Sequence, residues 1–118
     1  MKLLDSNILI YAAREEYAYL RSLVSHSANA FSILEVLGYR ALNQKDRIYF
    51  EAAFKSLNIL AIDQNVINQA ITLRQTKNIA SADAVIAATA LIHDCEFLTR
   101  NEADFNWISD LKLINPIQ

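Results

Sequence analysis

Apolar residues along this chain fall into short runs and into longer segments with helical spacing, and the two kinds alternate. Short runs predict buried strands at residues 1–4, 59–62, 96–99 and 112–114, and a short strand or extended link at residues 28–31. Helical spacing predicts helices at residues 8–13, 15–25, 32–42 and 45–57, and two more that begin at the caps Asp63 and Ser81 and run to about residues 77 and 93. Residues 100–105 are predicted to form a loop. This alternation indicates an α/β fold with a short, mainly parallel central sheet flanked by helices, in a single domain of residues 1–118.

Glycine and proline are scarce, and their scarcity narrows the possible chemistry. The chain contains one glycine, Gly38, and one proline, where average usage predicts about 8 and 6. A Gly-rich loop that cradles phosphate with backbone N–H groups is excluded, both as a dinucleotide fingerprint and as a P-loop. A phosphate would therefore have to be bound through side chains. The predicted helix at residues 32–42 places Gly38 in its middle.

Charge, cysteine content and hydropathy add weaker constraints. The net charge of −2 neither favours nor excludes a nucleic-acid partner. The single cysteine, Cys95, cannot form an intramolecular disulfide, which suits the reducing cytoplasm. No apolar run approaches the roughly 18 residues of a membrane span, so we expect a cytoplasmic protein without a membrane partner. A hydrophobic fraction of 53% indicates that some apolar surface is used to contact another protein.

Four acidic residues stand just after predicted strands. Asp5 ends the first strand, Glu35 and Asp83 lie in the first turns of the helices at 32–42 and 81–93, and Asp104 lies in the loop after the fourth strand. Parallel strands carry their sites beyond their carboxyl ends, so we expect these carboxylates to meet at one edge of the sheet. Clustered acids repel one another unless a cation compensates, and oxygen ligands select Mg²⁺ or Mn²⁺.

Each acid also has a purely structural interpretation. Ser32 and Glu35 have the spacing of a capping box, and Asp83 would stabilise a helix N-terminus simply by its charge. Asp5 could be an ordinary helix cap, and residues 101–104 have the pattern of a capped turn. Spacing alone leaves both interpretations open.

The segments that carry three of the acids resemble motifs of a known family. Residues 3–11 read LLDSNILIY, residues 81–90 read SADAVIAATA, residues 97–105 read FLTRNEADF and residues 113–116 read LINP. In this order they resemble the PIN-domain family, specifically the VapC-type toxin ribonucleases of bacterial toxin–antitoxin systems. Ser6 stands where threonine is commoner in that family, and Ser81 where leucine and proline are often nearby.

The resemblance implies a PIN-like three-layer fold and a Mg²⁺-dependent endoribonuclease, with Mn²⁺ as a possible substitute. It implies that Asp5 and Asp83 bind the metal and that Glu35 and Asp104 complete the catalytic pocket. The family places its fourth acid either two or five residues after the threonine, so Asn101 and Asp104 are both candidates for that position. Side chains that would orient the carboxylates or contact substrate are Ser6, Asn7, Thr99, Arg100 and Asn101. Expected partners are an RNA substrate, an antitoxin protein whose C-terminal segment lies along the active-site groove, and a second copy of the chain in a homodimer.

Residues outside these motifs could contact RNA, and most have an alternative role. Arg100 adjoins the acids in sequence, whereas the side chains of Arg14, Arg40, Lys45 and Arg47 are more typical of solvated helix faces. The aromatic rings of Tyr11, Tyr17 and Tyr19 could stack on bases or could pack in the core or an interface.

Two other classes of protein share some of these features. A catalytically inactive PIN-type binding module would lack one of the acids, and the first three are present. A receiver-like signalling domain needs a second acid beside the first and a lysine after the last-but-one strand, where this chain has Leu4, Ser6 and Arg100. A phosphatase of the D-x-D kind is disfavoured because Asn7 replaces its second aspartate.

Overall fold

A computed structural model describes residues 1–117, with the side chains of residues 23–25 outside the description. Its centre is a five-stranded sheet of short strands: β1 (Lys2–Leu4), β2 (Ser27–Asn29), β3 (Asn58–Leu60), β4 (Glu96–Leu98) and β5 (Lys112–Ile114). All neighbours pair in parallel, in the order β3-β2-β1-β4-β5, with β1 in the middle. The predicted α/β fold with a parallel central sheet is confirmed, and every predicted strand is present within one or two residues of its predicted bounds.

Within residues 1–117, six α-helices and one 3-10 segment connect the strands. The α-helices are α1 (Ser6–Ala12), α2 (Ala30–Leu37), α3 (Gln44–Ser56), α4 (Gln64–Thr76), α5 (Ser81–Ile92) and α6 (Glu102–Phe105). The segment predicted as a helix at residues 15–25 is a 3-10 helix, Glu15–Ser25, with a kink at Tyr17. No helix among the described residues is both long enough and apolar enough to span a bilayer.

Three local predictions are wrong. The helix predicted at residues 32–42 begins at Ala30 and ends at Leu37, so that Gly38 is its C-cap, with its N–H bonded to the Leu34 carbonyl, and not a mid-helix residue. The loop predicted at residues 100–105 contains α6, a single helical turn. The cap of α5 is Ala80, which has no side chain able to accept a hydrogen bond, and Ser81 is the first helical residue.

Helices cover both faces of the sheet because successive residues of a strand point to opposite faces. Leu3 and Phe97 pack into a core with α4 and α5, whereas their neighbours Leu4 and Leu98 pack into a second core with α1, α2 and α3. Hydrophobic layers therefore lie on both sides of a sheet that is buried at its centre. The strands end together at one open edge, where the side chains that follow them meet.

One buried polar residue determines where α2 begins. The side chain of Asn29, which is fully buried, accepts a 2.6 Å hydrogen bond from the backbone N–H of Phe31. Its amide nitrogen donates a 2.6 Å hydrogen bond to the hydroxyl of Thr89 in α5. Asn29 thus caps α2 and ties it to a helix on the other face of the sheet.

We expect Asn29→Ala to lower the free energy of unfolding by about 2–3 kcal/mol, because it removes a cap and a buried hydrogen bond together. Asn43→Ala is the matched control, since Asn43 caps α3 with a 2.8 Å bond to the N–H of Asp46 but is exposed. That variant should lose about 1 kcal/mol. Urea unfolding of the two variants measures the difference, and equal losses would show that the Thr89 contact contributes nothing.

Candidate active site

Asp5 is the centre of the polar cluster at the carboxyl edge of the sheet. It follows β1 directly and caps α1, with Oδ1 accepting a 2.8 Å hydrogen bond from the N–H of Ser6. Oδ2 accepts hydrogen bonds from the Thr99 hydroxyl at 2.7 Å and from the Asn7 amide at 3.2 Å. The side chain is 6% exposed and held in one orientation. Burial raises the pKa of Asp5 from 3.8 to about 6 against the opposing effect of these bonds, and repulsion from Asp83 and Glu35 adds to the rise.

Glu35 reaches this cluster from α2. Its Oε1 accepts a 2.7 Å hydrogen bond from the Ser6 hydroxyl, which also lies 3.0 Å from the hydroxyl of the buried Ser32. Ser6 therefore connects α1 to α2 beside Asp5. The capping-box interpretation is wrong because the cap of α2 is Asn29, and Ser32 and Glu35 both lie inside the helix. For the same reason Glu35 stands in the second turn of its helix and not in the first.

Asp83 and Asp104 lie on the other side of the carboxyl edge of the sheet. Together with Asp5 and Glu35 they form what we call the acidic edge. Asp83 lies in the first turn of α5 and is partly buried, and Asp104 is exposed on α6. Burial raises the pKa of Asp83, and repulsion from Asp104 and then from Glu35 raises it further. Asp83 is thus within electrostatic reach of Asp104 and Glu35, while Asp5 is within reach of Asp83 and Glu35. The four predicted acids come from four different elements and form one interacting group.

Residues after β4 support Asp5 and border the acids. The Thr99 hydroxyl is fully buried; it donates to Asp5 and accepts a 3.1 Å bond from the N–H of Asn101. The Asn7 side chain receives a long 3.4 Å hydrogen bond from the N–H of Arg100. The Asn101 side chain is exposed and makes no capping bond to α6. Between the two candidates for the fourth acidic position, only Asp104 brings a charge, and that charge acts on Asp83.

The donor chemistry of this edge fits a hard divalent cation. The ionisable groups of the cluster are all carboxylates, and burial together with mutual repulsion raises the pKa of Asp5 and of Asp83. Carboxylate oxygens select Mg²⁺ or Mn²⁺. Within the described part of the chain, no three His, Cys, Asp or Glu side chains already converge on one ion position. Mg²⁺ commonly uses one or two protein carboxylates and keeps several waters, so a third converging side chain is not required.

Two open clefts border the acids on opposite sides. One, of about 350 Å³, lies among α1, α2 and α3 and is lined by Ile10, Arg14, Glu35, Tyr39 and Phe50 among others. The second, of about 320 Å³, contains Asp83 and Asp104 together with Lys77 and Trp107. The acidic edge is therefore accessible from both faces of the sheet.

Sequence reasoning missed two residues that help to build the site. Asn29 sets the start of α2, and Ser32 lies against the hydroxyl that holds Glu35. An asparagine at a strand-to-helix junction is a recognisable cap signal, so Asn29 could have been found. The role of Ser32 could not, because it depends on the packing of α1 against α2.

Comparisons with known proteins agree on one family. A family model described as the PIN domain matches residues 2–110. No curated protein matches the sequence significantly. A chain in a toxin–antitoxin complex from Klebsiella pneumoniae is 28% identical and superposes with a TM-score of 0.81, over 100% of this chain and 99% of that one.

Two further solved structures are similar over nearly their whole length. A chain of FitAcB from Neisseria gonorrhoeae is 27% identical with a TM-score of 0.79, and the match covers 98% of both chains. A chain of VapBC2 from Rickettsia felis, bound to a DNA fragment from its promoter, has a TM-score of 0.80 over 97% of both chains. The last is 19% identical and supports the fold alone.

Proposed function

The chain belongs to the PIN-domain family, and from that premise we propose that it is a divalent-metal-dependent endoribonuclease, the toxin of a toxin–antitoxin pair. The observation that supports the proposal most strongly is the burial of the Asp5 carboxylate together with its hydrogen bonds and acidic neighbours. A carboxylate that is 6% exposed, oriented by three hydrogen bonds and repelled by two further acids is suited to holding a cation. Without a cation, the same arrangement lowers the stability of the folded chain.

The proposed roles follow from which atoms already have partners. Asp5 and Asp83 would hold the ion, with Asp5 oriented by Thr99 and the N–H of Ser6. A bound Mg²⁺ supplies positive charge that stabilises a phosphodiester transition state and makes water a better nucleophile. Ser6 occupies Oε1 of Glu35, which leaves Oε2 to accept a proton from the attacking water. Asp104 completes the negative pocket on the side of Asp83.

Partners of two kinds are part of the proposal. The similar structure from Klebsiella pneumoniae is a toxin–antitoxin complex, and the 350 Å³ cleft beside Glu35 is a suitable groove for an antitoxin segment. Exposed apolar side chains also favour protein contacts, namely Leu34 and Tyr39 near this cleft and Ile48 on α3, each at least 60% exposed. We propose that the antitoxin covers one part of this exposed apolar surface and that a second copy of the chain covers another part in a homodimer.

A catalytically inactive PIN-type binding module is the second candidate. It is favoured by the exposed apolar side chains of Leu34, Tyr39 and Ile48, which suit protein binding whether or not the acids support cleavage. Such a module would bind its partners without cleaving RNA, and the two candidates are therefore separated by an activity measurement.

The purified chain should cleave a labelled single-stranded RNA in Mg²⁺ or Mn²⁺ and should not cleave it in EDTA. Single-stranded DNA of the same sequence serves as the control for substrate class. Adding Mg²⁺ should also raise the thermal unfolding midpoint, because a ligand that binds only the folded state stabilises it. Cleavage that persists in EDTA would contradict the metal requirement, and binding without cleavage in either metal would favour the inactive module.

A further inference from the structure

Aromatic rings paired with cationic side chains stand on both flanks of the acidic edge. The guanidinium carbons of Arg14 and Arg100 lie 5.1 Å and 5.0 Å from the centre of the ring of Tyr11, which stands on α1. Arg100 also donates a hydrogen bond to the Tyr11 hydroxyl, and Tyr17 packs edge-on against Tyr11 at 4.8 Å. One tyrosine ring thus holds two cations beside the acids.

A second cation–aromatic pair borders Asp83 and Asp104. The Lys77 ammonium lies 5.5 Å from the centre of the Trp107 ring. The Trp107 indole N–H donates a 2.9 Å hydrogen bond to the backbone carbonyl of Asp104, which fixes the ring next to the acid. Both residues line the cleft that contains Asp83.

No acid among the described residues neutralises the charges of these three cations. The side chains of Arg14, Arg100 and Lys77 are exposed, and none forms an ion pair with a carboxylate anywhere in residues 1–117 as described. By contrast, Arg21, Arg47 and Lys112 each form a salt bridge with an acid. Cations beside an acidic cluster that do not pair with it remain available for an anion from outside.

The two flanks lie on opposite faces of the sheet. Helix α1, which carries Tyr11, packs on the face covered by α2 and α3, whereas Trp107 packs against the core formed with α4 and α5. A chain that passes from one flank to the other must cross the carboxyl edge, where Asp5 and Asp83 lie. Rings beside cations suit a strand that presents bases and phosphates in alternation.

We infer that single-stranded RNA crosses the acidic edge between these flanks, with phosphates on Arg14 and Arg100 at one side and on Lys77 at the other. Tyr11 and Trp107 hold these cations in place, and the partly exposed Trp107 ring offers a surface to a neighbouring base. The inference rests on the proposed nuclease function and adds the path of the substrate. An acidic protein segment could occupy the same surface instead of RNA, and the binding experiment therefore compares the two ligands.

Fluorescence anisotropy tests this path. It measures the affinity of the chain for a short fluorescein-labelled single-stranded RNA in EDTA, over a range of salt concentrations. Arg100→Gln and Lys77→Gln should each weaken binding by about tenfold and reduce the slope of log affinity against log salt by about 0.7, the value for one phosphate contact on a single strand. The double variant should lose about 100-fold, because distant sites act additively. Arg100→Lys should retain the slope, since the charge remains.

Lys55→Gln is the charge-matched control. Lys55 is exposed at the end of α3, just before β3 begins, and so lies near the opposite edge of the sheet. This variant should bind RNA like the wild type. Equal losses in Lys55→Gln and in the flank variants would overturn the path, because they would reflect net charge alone.

Parallel measurements separate the failure of the path from the failure of the proposed function. Wild-type cleavage of RNA in Mg²⁺, combined with unchanged affinity and slope in Arg100→Gln or Lys77→Gln, would overturn the path and leave the nuclease function standing. Reduced binding of an oligoglutamate peptide with unchanged RNA affinity would assign the flanks to an acidic protein segment and also overturn it. Absence of both RNA binding and cleavage in the wild type would overturn the function and the path together.

Discussion

Asp5→Asn should reduce RNA cleavage by at least about 1,000-fold while leaving the fold intact. The loss is at the upper end for removing one electrostatic contact to a transition state, because Asp5 is the buried, oriented carboxylate of the cluster. The fold should survive because asparagine caps helices as well as aspartate does, and its side-chain oxygen can still accept the N–H of Ser6. Cleavage rates with Mg²⁺ and far-ultraviolet circular dichroism measure the two effects.

Asp63→Asn is the matched control for this variant. Asp63 also follows a strand and caps a helix, accepting a 3.0 Å hydrogen bond from the N–H of Val66, and it carries the same charge. Its strand, β3, is separated from β1 by β2. Asp63→Asn should retain wild-type cleavage. An Asp5→Asn protein that cleaves RNA at the wild-type rate would refute the assignment of the site.

The metal-free chain should lose stability as the pH rises from about 4 to about 7, relative to Asp5→Asn. The pKa of Asp5 is raised in the folded state from 3.8 to about 6, so the folded protein holds this proton more tightly than the unfolded chain does. Protonation of Asp5 contributes its full stabilisation below 3.8, the pKa of this group in the unfolded chain. That contribution is lost as the pH rises through about 6, the pKa in the folded chain. The size of this loss is about 3 kcal/mol.

Urea unfolding of both proteins in EDTA, at intervals across this pH range, measures the difference. The stability of Asp5→Asn should exceed that of the wild type increasingly as the pH rises, and the two should converge at the acid end. Mg²⁺ at neutral pH should return part of the lost stability to the wild type and little to the variant. A wild type that gains stability with pH relative to the variant would mean that Asp5 is stabilised as an anion without a metal.

The elements of the fold could be predicted because their signals are local. The strands appear as short apolar runs and the helices as apolar faces, and the place of Asp63 between the two predicts the cap that the structure shows. The errors also have a local cause. Ser32, three residues before Glu35, satisfies a capping pattern, but the packing of Asn29 against Thr89 starts the helix earlier. Ser81 has the right residue type for a cap, but the cap is Ala80 and the helix begins at Ser81 itself.

The parallel α/β fold, the family and the gathering of four acids at one edge of the sheet can all be predicted from the order of the residues. The alternation of strands with helices and the direction of the chain are enough for that, since residues that follow parallel strands must gather at their carboxyl ends. The folded chain alone reveals that Ser6 hydrogen-bonds to Glu35 and Thr99 to Asp5. It alone also reveals that Tyr11 and Trp107 hold cations on opposite faces of the sheet. These contacts join residues far apart in the chain, and their geometry depends on how the helices pack, which no local pattern encodes.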